Sequence, residues 1–202
     1  LNPDVVFKEN TFSQLTEALK KIEDFSIISP INEDSNLPNY EIKKNYQNEN
    51  IDIIEVDTVD GFSMLINKLK FNDQNYFDEN FFLYLENTDL CLRQKKRNGK
   101  IYISKNSKIK HLGSYTTKQD LTNNMEYIRN WHWMWSKFYF NKKHYGYFLA
   151  IVKTFHNLIS AIIKYIFYSI LFNNHKKNIY KMRFFGLLNS IVGNKSSLRP
   201  RN

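Results

Sequence analysis

The chain has 202 residues, 42% of them hydrophobic and 16% aromatic, enough for one ordinary domain with a buried core and an appended helical tail. Six Gly and four Pro argue against a small loop-rich or collagen-like chain, and a single cysteine, Cys91, excludes an intramolecular disulfide framework and a Cys-rich zinc site. The formal charge of +9 is unevenly placed: the last acid is Glu126, and residues 127–202 carry 13 Lys and Arg with no Asp or Glu. Two physically different regions therefore meet near there, and the expected division is 1–118 and 119–202.

In the first region short apolar runs alternate with helical patterns, the mark of an α/β arrangement. Thr11 is placed to cap a helix reaching about Lys21, with Phe12, Leu15, Ala18 and Leu19 on one face. Residues 25–29 read as a buried strand ended by Pro30. Residues 32–50 are rich in Asn, Asp, Glu and Tyr and read as a solvated loop or weak edge hairpin. Strands are expected at 51–56 and at 59–66, the latter around Gly61. A helix should run from Glu86 to about Arg97, stopped by Asn98-Gly99, followed by two short strands at 100–104 and 108–111.

In the second region Met125, Ile128, Trp131 or His132, and Trp135 recur at helical spacing, predicting a helix over about 119–141. Residues 147–172 are strongly apolar, but Lys153, Asn157, Ser160 and Lys164 form one polar stripe. The longest charge-free run inside it is residues 154–163, well short of the roughly 18–20 residues that cross a bilayer without charges. An in-plane interfacial helix is the better reading, with a helix packed on the first region as the alternative. A basic cluster around His175, Lys176 and Lys177 leads into a second short amphipathic segment, 184–192, and a basic tail from Lys195. Interleaved aromatics and lysines also suit nucleic acid, but the apolar content is too high for such an arm, so no nucleic-acid partner is expected. The run from Trp131 to Trp135 fits a stacking platform for sugars or bases, but a membrane-interface belt and helix packing explain it more cheaply, since Trp and Tyr favour interfaces.

The strongest local signal runs from Phe77 to Arg93: Phe-Asp-Glu-Asn-Phe-Phe-Leu-Tyr-Leu-Glu-Asn-Thr-Asp-Leu-Cys-Leu-Arg. Glu86 and Asp89 sit three apart at a helix start, which alone is explained by capping and first-turn charge. The stretch resembles the acceptor-side motif of family 2 glycosyltransferases, especially the rhamnosyltransferase and galactofuranosyltransferase-like branch. Further pieces follow in the same order. Leu1-Asn2-Pro3-Asp4 resembles that branch's substitute for an Asp-x-Asp metal motif, and Gly61 to Ile66 its glycine-led strand. His111-Leu-Gly-Ser resembles the histidine ending the catalytic domain, and Arg129-Asn130 the pair opening its C-terminal helices. Coverage extends from residue 1 to about 145.

The resemblance implies a partial glycosyltransferase A-type, Rossmann-like α/β domain followed by C-terminal amphipathic helices. It implies inverting transfer from a nucleotide-diphosphate sugar to a glycan or polyprenyl-diphosphate-linked acceptor, at the cytoplasmic face of the cell membrane. It further implies a divalent metal, Mg or Mn, held by Asp4 and His111, with Asp4 and Arg93 toward the donor diphosphate and Gly61, Asp78 and Glu79 toward the acceptor. Such chemistry needs a cation to neutralise the leaving diphosphate and a carboxylate to take the acceptor proton. The family's base position is occupied here by Asn87, and an amide cannot take up a proton near neutral pH. Glu86 is favoured as base, with Asp89 structural or acceptor-binding and Asn87 an orienting group. Simpler readings stand beside these: Asp4 as a turn residue, His111 as a strand-end histidine, Arg93 paired with Asp89, and Cys91 as a packed thiol. The opening at Leu1 reads as the end of a strand, so upstream nucleotide-binding strands are expected, and residues 1–202 alone are expected to bind donor poorly and to be inactive.

Overall fold

The computed structural model describes residues 2–43, 52–71, 76–112 and 119–200, with side chains of the last stretch from residue 123. Leu1, Ile51, part of the Asn-rich loop (44–50), the loop at 113–117 with Gly113 and Ser114 of the histidine motif, and Arg201 lie outside the described residues. The chain forms two compact units. One comprises Leu1–Asp78 with Glu86–Tyr115, the other Glu79–Leu85 with Thr116–Asn202.

The first unit is mixed α/β. Strand β7 (Ile101–His111) is its spine. One edge of β7 pairs in parallel with β2 (Ile27–Asn32), and antiparallel pairings join β7 to β4 (Ile53–Glu55) near its start and to β1 (Val5–Phe7) near its end. Strand β6 (Leu65–Ile66) adds to β2. A separate two-stranded piece pairs β3 (Tyr40–Glu41) with β5 (Thr58–Val59).

Alternation along the strands feeds two cores, one per sheet face. Ile28 and Ile53 pack with Leu15 and Ala18 of α1 (Thr11–Lys20). Ile27, Ile54, Ile101 and Ile103 pack on the opposite face with Leu90 and Cys91 of α2 (Glu86–Lys96). A sheet covered on both faces needs nearly continuous apolar strands, which is why Ile27-Ile28 and Ile53-Ile54 occur as pairs. Each fully buried isoleucine contributes about 1.5–3 kcal/mol relative to exposure.

Several elements differ from the sequence expectation. Pro30 does not end β2; the strand continues to Asn32. Proline is tolerated because β6 pairs only with Ile27 and Ile28, leaving that edge without a ladder at Pro30, and because the pairing to β7 shifts register between Pro30 and Ile31. That irregularity lies opposite residues 105–107, so the two expected strands of 100–111 are one strand interrupted by a bulge. Thr11 is not the cap but the first helical residue. Its hydroxyl accepts from the Lys8 amide (2.8 Å) and donates to the Lys108 carbonyl (2.6 Å), pinning α1 to β7. The strand expected over 59–66 is broken at Gly61 into β5 and β6. Helix α2 stops as expected: Asn98 is left-handed (φ 60°) and the Gly99 amide donates to Gln94 O at 2.8 Å.

The second unit is helical: α3 (Gln119–Tyr145), α4 (Tyr147–Ile170) and α5 (Asn174–Ile191). Met134 and Phe138 of α3, Ala150 of α4 and Leu187 of α5 form its core. Gly186 lets α5 lie against α3, since a Cβ there would sit 2.2 Å from the Trp131 carbonyl oxygen. The basic cluster at 175–183 belongs to α5, whose start is capped by Asn173 accepting from the Lys176 amide. The aromatic run resolves as helix packing: Trp131, His132, Met134 and Trp135 are buried and only Trp133 is exposed. His132 bonds Ser196 Oγ and Leu198 O, both at 2.8 Å, and Trp135 donates to Asn194 O, so the tail from Asn194 to Leu198 is strapped along α3.

Candidate functional site

Two halves of a site are built in the α/β unit around the turn at 60–63. The first half comes from strand pairing. Val5 of β1 lies opposite His111 of β7, and the Leu112 amide donates to Asp4 O at 2.9 Å. This register sets Asp4 beside the histidine, with His111 Nε2 3.1 Å from Asp4 Oδ2. Both side chains remain partly open to solvent.

Phe62 backs the pair. Its ring stacks on the imidazole at 4.2 Å with an 11° interplanar angle, and its carbonyl accepts from the Asn2 amide at 2.9 Å. Beneath lies a buried amide network that the sequence did not reveal. The His111 amide donates to Asn32 Oδ1 (3.3 Å), the Asn32 amide to Asn39 Oδ1 (2.9 Å), and Asn39 Nδ2 to Pro30 O (2.9 Å). The Asp60 amide donates to Asn39 O at 2.8 Å. Loss of water around the Asp60 carboxyl pushes it above the ordinary aspartate range, an effect opposed by the His111 charge and reinforced by Glu41.

The second half is the first turn of α2. Tyr84 and Leu85 precede it with φ of 69° and 67°, a left-handed pair of non-glycine residues that costs about 1–2 kcal/mol each. Glu86 opens the helix. Its Oε2 is buried without a hydrogen-bond partner, and burial raises the carboxyl above the ordinary glutamate range, partly offset by a hydrogen bond from its own backbone amide. Asn87 turns inward, donating from Nδ2 to the Val59 carbonyl at 2.9 Å. Gly61 allows that approach, since a Cβ there would lie 3.3 Å from Asn87 Cβ. The turn thus carries His111-stacking Phe62 on one side and the Asn87 contact on the other.

The remaining site residues take other positions. Asp89 is fully buried and paired with Arg93 (Nε to Oδ2, 2.9 Å), while Arg93 also bonds the Tyr76 carbonyl. Both thereby help to hold α2 and the 76 segment together. Cys91 is a packed thiol, pushed up to about 12 by burial, and carries too little thiolate to act as a nucleophile. Asp78 is half-buried in the α/β unit, and Glu79 is exposed at the start of the segment belonging to the helical unit. Arg129 neighbours Asn130, whose Oδ1 accepts from Arg183 Nε at 2.7 Å and so ties α3 to α5.

Among the described residues no group of three or more His, Cys, Asp or Glu converges as a metal cage. Asp4 and His111 nevertheless fit a partial ligand set. Metal bonds of about 2.0–2.2 Å allow adjacent ligands near the observed separation, and a magnesium-like ion takes its other ligands from substrate phosphate and water. Phe62, Asp60, Asn32 and Asn39 are the positions that sequence reasoning missed. No protein-family model matches the chain, and no curated protein matches it.

Proposed function

We propose that this chain is part of an inverting glycosyltransferase that moves a sugar from a nucleotide-diphosphate donor to a hydroxyl of a glycan or lipid-linked acceptor. The observation that carries the reading is the Glu86 carboxyl, which opens α2 half-buried, with one oxygen unpartnered and its proton affinity raised. A base works best when its pKa is moved toward the working pH, and desolvation does this for a glutamate. In the proposed step Glu86 takes the acceptor hydroxyl proton as that oxygen attacks the anomeric carbon and the bond to the diphosphate breaks. Asp4 and His111 would hold a Mg or Mn ion, which when bound supplies positive charge to the leaving diphosphate.

The resemblance of residues 77–93 to the acceptor-side motif supports the same reading, as does the order of the Asp4, Gly61 and His111 pieces. An α/β unit with helices on both sheet faces is compatible with a glycosyltransferase A-type domain, which is part of the proposal. A second reading rests on Asn87. Its amide is spent on Val59, so a catalytically silent relative acting as a scaffold is the alternative.

The test is release of nucleoside diphosphate from a panel of nucleotide-diphosphate sugars by the full-length protein with Mg or Mn. Turnover that falls when Asp4 is changed to Asn supports the transferase. Absence of turnover with every donor and acceptor, in a folded protein, favours the scaffold.

A further inference from the structure

Helix α4 is built inside out. The face packed in the helical unit carries small residues, with Ala150, Thr154 and Ala161 buried. The opposite face carries Phe148, Val152, Phe155, Ile159, Ile163 and Ile166, between 41% and 76% exposed and spaced three or four apart. A helix that only completes a water-soluble bundle presents the reverse pattern. A contiguous apolar face of this length marks a surface that is covered in use.

The charges around it identify the cover. Lys153 and Lys164 border the apolar face and reach over the rings of Tyr145 (4.9 Å) and Tyr180 (5.2 Å). Helix α5 runs against α4 with Tyr168 and Tyr180 stacked at 5.6 Å, and Lys176 lies over Tyr168. The whole stretch 127–202 has 13 Lys and Arg and no carboxylate side chain. A second copy docked on this face would bring two such surfaces together, whereas anionic headgroups complement them.

By length and mean hydropathy α4 could cross a bilayer. The packing argues otherwise. Helix α5, with Lys176, Lys177, Lys181 and Arg183, lies along α4, and a spanning α4 would draw those charges into hydrocarbon. We infer that α4 lies in the plane of an anionic membrane, its Phe155, Ile159 and Ile163 face in the acyl boundary and its lysines at the headgroups. This concerns the helical unit alone and holds whether or not the α/β unit transfers sugar.

The experiment is co-sedimentation of the full chain with vesicles of phosphatidylcholine alone and of phosphatidylcholine mixed with phosphatidylserine. Binding should be at least about tenfold tighter to the anionic vesicles, because several basic residues would lie near the charged surface. The variant I159E/I163E should lose at least about tenfold in binding with unchanged circular dichroism, since both side chains already face solvent. A fluorophore on I163C, selective because Cys91 is buried, should shift to the blue on anionic vesicles. Bound protein should be released by alkaline carbonate. Failure to bind anionic vesicles overturns the inference, whether the protein then dimerises through α4, binds RNA or does neither, and so does resistance to carbonate extraction.

Discussion

Asn87 Nδ2 lies 2.9 Å from the carbonyl oxygen of Val59, so the position where the resembled family carries an acid is held here by a donor. A carboxylate cannot make that bond, and an aspartate would set its oxygens against the carbonyl instead. Asn87→Asp should therefore destabilise the protein by about 1–3 kcal/mol, read from the urea midpoint. An unchanged midpoint would mean that the contact with β5 is dispensable.

Arg93 gives a second test, because its two candidate roles fail differently. As the partner of buried Asp89 it supports the fold, and Arg93→Met should remove one ion-pair partner from that buried carboxylate. Breaking a buried pair from one side costs about 3–5 kcal/mol, less here because the Arg93 side chain keeps some solvent contact. A variant with normal stability but a raised KM for the nucleotide sugar would instead assign Arg93 to the donor.

Gly186 sets the distance between α3 and α5. With a Cβ 2.2 Å from Trp131 O, Gly186→Ala must push the helices apart, at a cost of about 1–3 kcal/mol. Thermal melts followed by circular dichroism should show the helical unit unfolding earlier.

His132 makes stability depend on pH. Burial holds its pKa below the usual value of about 6.5, with the Arg199 charge acting the same way and the hydrogen bond to Leu198 opposing. The folded state therefore binds fewer protons than the unfolded chain across that window. Its contribution is complete above the unfolded pKa and is lost as pH falls toward the folded one. Denaturation at pH 7.5 and pH 5 should show this loss in the wild type and a smaller one in His132→Gln.

What the sequence disclosed and what it hid follow from range. Helix α1 and the end of α2 were legible because Leu15 and Ala18, or Asn98 and Gly99, act within a few residues. The proline in β2 was misread because its tolerance depends on how far β6 extends, a fact held 35 residues away. Asn32 and Asn39 looked like solvated loop residues, and only the fold shows them buried and bonded beneath His111. Within the candidate site, Asp4, Gly61, Glu86 and His111 were reachable through an ordered motif. Phe62 and Asp60 were not, because their part depends on a turn wedged between β7 and α2. The polar stripe on α4 was legible, but which face packs inward was not.

Glu86 is the proposed acceptor of the hydroxyl proton. The most direct measurement is the sugar-transfer rate of Glu86→Gln against wild type in the full-length protein, with donor binding and the unfolding midpoint as controls. The expected result is a loss of about 10²–10⁴ in kcat with donor affinity and stability retained. A variant that transfers sugar at the wild-type rate would contradict it.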